Sequence, residues 1–336
     1  MTKIKFKMLF YAIFFPVVMF AGTVNSDTLM HNKNFVLEKT IPLLGVDGRF
    51  DHFSIDVKGR RLFVAALGNN SVEVLNLDES KVIHSIRGLS EPQGLFYNAE
   101  TNRLYVANGG DGTLCTYDGK NYALIETVKF GDDADNVRYD SSAKYLYVGY
   151  GSGALGAIDV TSGKIVFKIP LKAHPESFQL EKKGTRIFVN VPNAGQIAVI
   201  DREKKALLTT WTVETAKANF PMALDEANHR LFIGCRNPAQ LLVFDTQTGK
   251  QVSSLSLHGD CDDIFYDSDR KQIYASCGEG FIDVISQKDA NQYELVQSVK
   301  TKSGARTCFF DGQYLYLAVP KRGEQSAEIR LYRADI

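Results

Sequence analysis

The chain has 336 residues, 44% hydrophobic and 23% charged, with 39 basic and 39 acidic side chains. These proportions are those of a soluble folded protein and exclude both a disordered chain and a bundle of membrane helices. Lys3, Lys5 and Lys7 precede the first acid, Asp27, so the chain from Asp27 onward carries three net negative charges. That argues against a broad basic face for nucleic acid or anionic lipid.

Residues 1–26 read as a signal peptide: three lysines, an apolar run from Met8 to Phe20, and Val24-Asn25-Ser26 before Asp27. The apolar run is short for a bilayer span. The expected location is therefore periplasmic or secreted, with no membrane span left after cleavage. Asn34 to Pro42 then reads as a lone strand, without the hairpin that follows every later strand of its kind.

From there a triplet recurs: Leu62-Phe63-Val64, Leu104-Tyr105-Val106, Leu146-Tyr147-Val148, Ile187-Phe188-Val189, Leu231-Phe232-Ile233, Ile273-Tyr274-Ala275 and Leu315-Tyr316-Leu317. The spacings are 42, 42, 41, 44, 42 and 42 residues. Asn102 to Lys120 shows the unit most fully: a β-prone triplet, the turn Asn108-Gly109-Gly110-Asp111-Gly112, a returning strand from Thr113 to Tyr117, and a second turn at Asp118-Gly119-Lys120. Each unit has four strands, and the lone N-terminal strand is expected to complete the last unit and close a ring. A repeat that runs from end to end leaves no boundary, so 27–336 is expected to be one domain. Asp56, Asp140, Asp225, Asp267 and Asp311 recur at one repeat position, between first and second strands, which is the signature of turn chemistry.

Repeats of the form R-L-Y-V-A-N-G-x-x-G-T resemble those of the YVTN-repeat β-propellers, exported seven-bladed proteins that include the YncE-like group. The resemblance implies an all-β, WD40-like ring of seven four-stranded antiparallel blades and a recognition scaffold. It implies no catalytic group, because the repeat consists of strand and turn residues. The last unit departs from it, with a shorter first turn and Val319-Pro320-Lys321-Arg322-Gly323 in place of the Gly-rich turn. Gly151-Ser-Gly153-Ala-Leu-Gly156 fits G-x-G-x-x-G, but Ala157 to Val160 reads as a strand, leaving no helix N-terminus for a pyrophosphate.

In such a ring the loops entering the first strands and those joining second to third strands share one face. The residue eleven before each triplet, with the last unit realigned, is Asp51, Gln93, Asp135, Glu176, Phe220, Asp262 and Arg306. Their neighbours add His52, Asn136, His174 and Asp263. The nine polar residues Asp51, His52, Asp135, Asn136, His174, Glu176, Asp262, Asp263 and Arg306 are the candidate ligand-binding set. Clustered carboxylates repel unless they are hydrated, protonated or occupied by a cation, and Arg306 is placed to neutralise Asp262 or Asp263.

Five cysteines leave at least one unpaired, and a hairpin about Asp267 to Arg270 brings Cys261 opposite Cys277, so a disulfide is expected there, with buried free thiols as the other outcome. The sequence favours a monomeric, non-enzymatic exported propeller that binds a small polar or cationic ligand, or a partner protein, at the acidic mouth. A metal-assisted lactonase-like hydrolase in the same mouth is one alternative and a cell-surface assembly module another. One divalent cation fits the residues, and no cofactor is required by them.

Overall fold

The computed structural model describes residues 1–2 and 35–334, so the segment read as a signal peptide lies, but for its first two residues, outside the described residues. Seven four-stranded antiparallel sheets lie between Phe35 and Ala334; six are built from four strands consecutive in sequence, and the seventh joins the first strand to the last three. This is a seven-bladed β-propeller, as the repeat predicts. Two short 3₁₀ turns, Leu67–Asn69 and Pro192–Ala194, are the helical elements among the described residues, and no described helix is long and apolar enough to cross a membrane.

The triplet explains the ring. In a strand, alternate side chains face opposite sides, so the first and third members of a triplet pack on one neighbouring blade and the middle member on the other. Leu62 and Val64 pack with Tyr316 of blade 7, whereas Phe63 packs with Leu104 and Val106 of blade 2. The pattern continues around the ring: Tyr105 meets Leu146 and Val148, Tyr147 meets Ile187 and Val189, Phe188 meets Leu231 and Ile233. Phe232 then meets Ile273 and Ala275, and Tyr274 meets Leu315 and Leu317. The middle position is aromatic in all seven blades, which fills the widening gap between radial sheets.

Closure comes from the N-terminal strand, Phe35–Leu43, which pairs antiparallel with the last strand, Ala327–Ala334, with Ile41 opposite Ile329. Phe35 stacks on Tyr332 of its own blade and Tyr274 of blade 6, and Ile41 and Leu43 are fully buried.

The repeated aspartates cap their own turns: Asp56 accepts the Gly59 amide at 2.9 Å, and Asp311 accepts Gln313 and Tyr314 at 2.8 and 2.7 Å. Arginines beside them join neighbouring blades. The Arg61 guanidinium binds Asp56 at 2.7 Å and donates to the Gly119 carbonyl of blade 2, and Arg202 of blade 4 binds Asp140 of blade 3 at 2.6 Å.

The cysteine register is as expected. Cys261 and Cys277 are direct partners, yet all five cysteines are buried free thiols. Cys261 Sγ also contacts the Asp263 carbonyl and Cys277 Sγ the Ala275 carbonyl, both at 3.8 Å. The neighbouring Cys277 thiol and burial push the Cys261 thiol well above its usual range, so little reactive thiolate is present. Folded protein is expected to resist alkylation, and denatured protein to take five labels. Recovery of a linked Cys261–Cys277 peptide by mass spectrometry would contradict this.

Candidate functional site

The mouth is built by entry loops that lie against the Gly-rich turns. The Gly68 amide donates to the Arg49 carbonyl at 3.0 Å, and the Gly278 amide to the Asp260 carbonyl at 2.8 Å. A Cβ on Gly68 would stand 2.8 Å from the Arg49 nitrogen, and one on Gly278 would stand 2.1 Å from the Asp260 carboxylate. These two glycines therefore make room for the chain that carries the site, besides turning their own hairpins.

All seven residues singled out by the repeat, Asp51, Gln93, Asp135, Glu176, Phe220, Asp262 and Arg306, line one cavity of about 330 Å³. His52, Asn136 and His174 join them. Asp263 lies behind this wall: it is buried, its Oδ2 accepts the Cys308 amide at 2.8 Å, and its Oδ1 stands 3.6 Å from His52 Nδ1. The lining also includes Arg49, Glu91, Asp133, Ser177 and Arg236. Of these, Arg49, Glu91 and Asp133 precede a ring position by two residues, as His174 does. That spacing is a signal the repeat alignment contains. Arg236 comes from the end of the second strand of blade 5, Arg230–Asn237, and has no charged counterpart at that position in the other units.

Electrostatically the mouth has two halves. On blades 5 to 7, Arg306 binds Asp262 through Nε at 3.0 Å and Asp260 at 3.0 Å, while Arg236 binds Asp262 and lies 4.1 Å over the Phe220 ring. Asp262 is thus the partner of Arg306, and Asp263 is not. Burial still pushes the Asp262 carboxyl upward against the pull of Arg236 and Arg306.

On blades 1, 3 and 4 the acids lack such close arginines. Asp51 meets Arg49 at 3.9 Å and His52 Nε2 at 3.5 Å, Asp135 meets His174 Nε2 at 3.8 Å, and Glu176 has no ion pair among the described residues. Burial, then the nearby Asp135 charge, pushes the Glu176 carboxyl up to about 8, and burial pushes Asp51 up to about 7 despite His52. Burial would depress the histidines, but Asp51 and Asp263 raise His52 to about 10, and Asp135 with the Gly151 carbonyl raises His174 to about 9. Asp135, flanked by both imidazoles, is held below the usual range although burial opposes this. The four ring carboxylates are therefore not equivalent, as the sequence alone suggests. Asp135 and Asp262 sit among cations, and the strain of buried charge falls on Asp51 and Glu176.

Two acceptor oxygens in this half, Asp135 Oδ1 and Asn136 Oδ1, are buried and reached by no protein donor. Such atoms carry a desolvation cost that a bound donor or cation removes.

The architecture matches solved structures. A chain in the crystal structure of the mitotic checkpoint complex superposes with a TM-score of 0.77 at 14% identity, covering 99% of this chain and 100% of that one. Hydrazine synthase of Kuenenia stuttgartiensis superposes with a TM-score of 0.71 at 16% identity, covering 82% of this chain and 95% of that one. At such identities the likeness shows the fold alone. No family model matches the chain, and no curated protein matches it.

Proposed function

We propose that this chain is an exported β-propeller binding protein that receives a small, positively charged or metal-bearing polar ligand at the carboxylate half of its channel mouth. The observation that carries this reading is the unpaired acceptor set there: Glu176 without an ion pair, and Asp135 Oδ1 and Asn136 Oδ1 buried without a protein donor. A cation there neutralises the two carboxylates. The YVTN-like repeat supports a recognition scaffold, and the pattern of residues 1–26 supports export, which N-terminal sequencing of the mature protein tests by a start at Asp27. The likeness to a chain of the mitotic checkpoint complex supports a partner protein as the second reading.

Calorimetric titration of organic cations and divalent metal salts into the purified protein tests the first reading. We expect saturable binding at one site, weakened by Asp135→Asn at least about tenfold through loss of a charged contact. No binding across the panel would remove this reading and leave the partner protein.

A further inference from the structure

We infer that the cation is a divalent transition metal of the zinc class, held by Asp135, His174 and Glu176 where blades 3 and 4 meet at the mouth. This rests on the mouth being a cation site and names the cation.

Ligand atoms of these three side chains all lie within 4.8 Å of one another. The imidazole is already oriented: a carbonyl only accepts, so His174 Nδ1 carries the hydrogen directed at the Gly151 oxygen 2.7 Å away. Nε2 is left facing Asp135 Oδ2 at 3.8 Å, too long for a hydrogen bond. Fixing one ring nitrogen on a backbone carbonyl so that the other can ligate is how metal-binding histidines are held. Asp135 and Asn136, 4% and 1% exposed, supply the independent sign of a ligand, since each points an unpartnered oxygen into this wall. A second group of three, Asp51, His52 and Asp135, meets the same 4.8 Å limit and shares Asp135, so further donors flank the site.

The donor types choose the metal. An organic ammonium would be met by carboxylates alone, and calcium or magnesium by oxygens alone. A half-buried imidazole nitrogen among carboxylates suits zinc and its neighbours in the transition series. Because these residues line the cavity, a metal there would face it and be open to a small molecule.

The test uses the full-length protein, stripped with chelator and titrated with zinc, with the metal content measured after gel filtration. We expect one zinc per chain and, on cobalt substitution, a visible absorption band. His174→Ala should weaken zinc more than about 100-fold and abolish the band, since even supporting partners of a metal site are worth 10–100-fold. His84→Ala, an exposed histidine stacked on Tyr122 on the outer rim, should change neither. Should His174→Ala not fold, Glu176→Gln serves in its place, with at least about tenfold weakening expected. Wild-type protein that retains no zinc, or a folded His174→Ala or Glu176→Gln variant that binds zinc as wild type does, overturns the assignment. If organic cations bind where zinc does not, the metal falls and the cation-binding mouth stands; if neither binds, both fall.

Discussion

Excising Phe35–Leu43 is expected to unfold the propeller, not merely to shorten it. The strand contributes Phe35, Ile41 and Leu43 to two interblade cores, and losing each large buried side chain costs about 3 kcal/mol. The sum of about 9 kcal/mol approaches the whole stability of an ordinary domain, roughly 5–15 kcal/mol. The deletion also strips the edge of Ala327–Ala334, leaving unpaired backbone groups on a partly apolar strand. A variant that still melts cooperatively at the wild-type temperature would show that the ring does not depend on this closure.

Glu176→Gln and Asp135→Asn are expected to move the stability of chelator-stripped protein in opposite directions. The Glu176 carboxyl titrates near 8 in the folded protein against an ordinary 4.5, so between those values the unfolded chain ionises while the folded one stays protonated. Its contribution is complete below about pH 4.5 and is lost as pH rises toward 8, by at most about 1.4 kcal/mol per unit. The glutamine variant should therefore gain on wild type across that window, with the difference levelling off above pH 8. Asp135 has the other sign. Its depressed carboxyl stabilises the fold above the ordinary carboxylate range and loses this as pH falls through its folded value. It also faces His174 and His52, so its asparagine variant should lose about 3 kcal/mol near neutral pH, the cost of leaving buried charge uncompensated. Thermal melts from pH 9 down past the ordinary Asp value of 3.8 measure both, and two variants that track wild type throughout would refute the assignment of charge within the mouth.

The ring was legible because its cause is local: a period-2 triplet with both faces apolar and an aromatic centre can be counted seven times without a structure. Convergence of Asp51, Asp135, Glu176 and Asp262 followed from the same alignment, since equivalent blade positions meet at one channel mouth. What the alignment could not carry was pairing. Asp262 is compensated by Arg236, which lies on a different blade at a strand end where no other unit carries a charge, and Glu176 has no ion pair among the described residues, so four equivalent positions acquire different charges. Asp263 follows its ring position by one residue, as His52 and Asn136 do, yet an amide on the next blade holds it behind the wall.

The melting curve of the full-length protein before and after stripping with chelator, and again after adding back zinc or a cation that binds, tests the cation-binding mouth most directly. A ligand that binds the folded state alone stabilises by about 2.7 kcal/mol at a hundredfold excess over Kd. The account predicts that stripping lowers the melting temperature, that re-addition restores it, and that Asp135→Asn loses this response. A wild-type curve unmoved by stripping and by every cation added would contradict it.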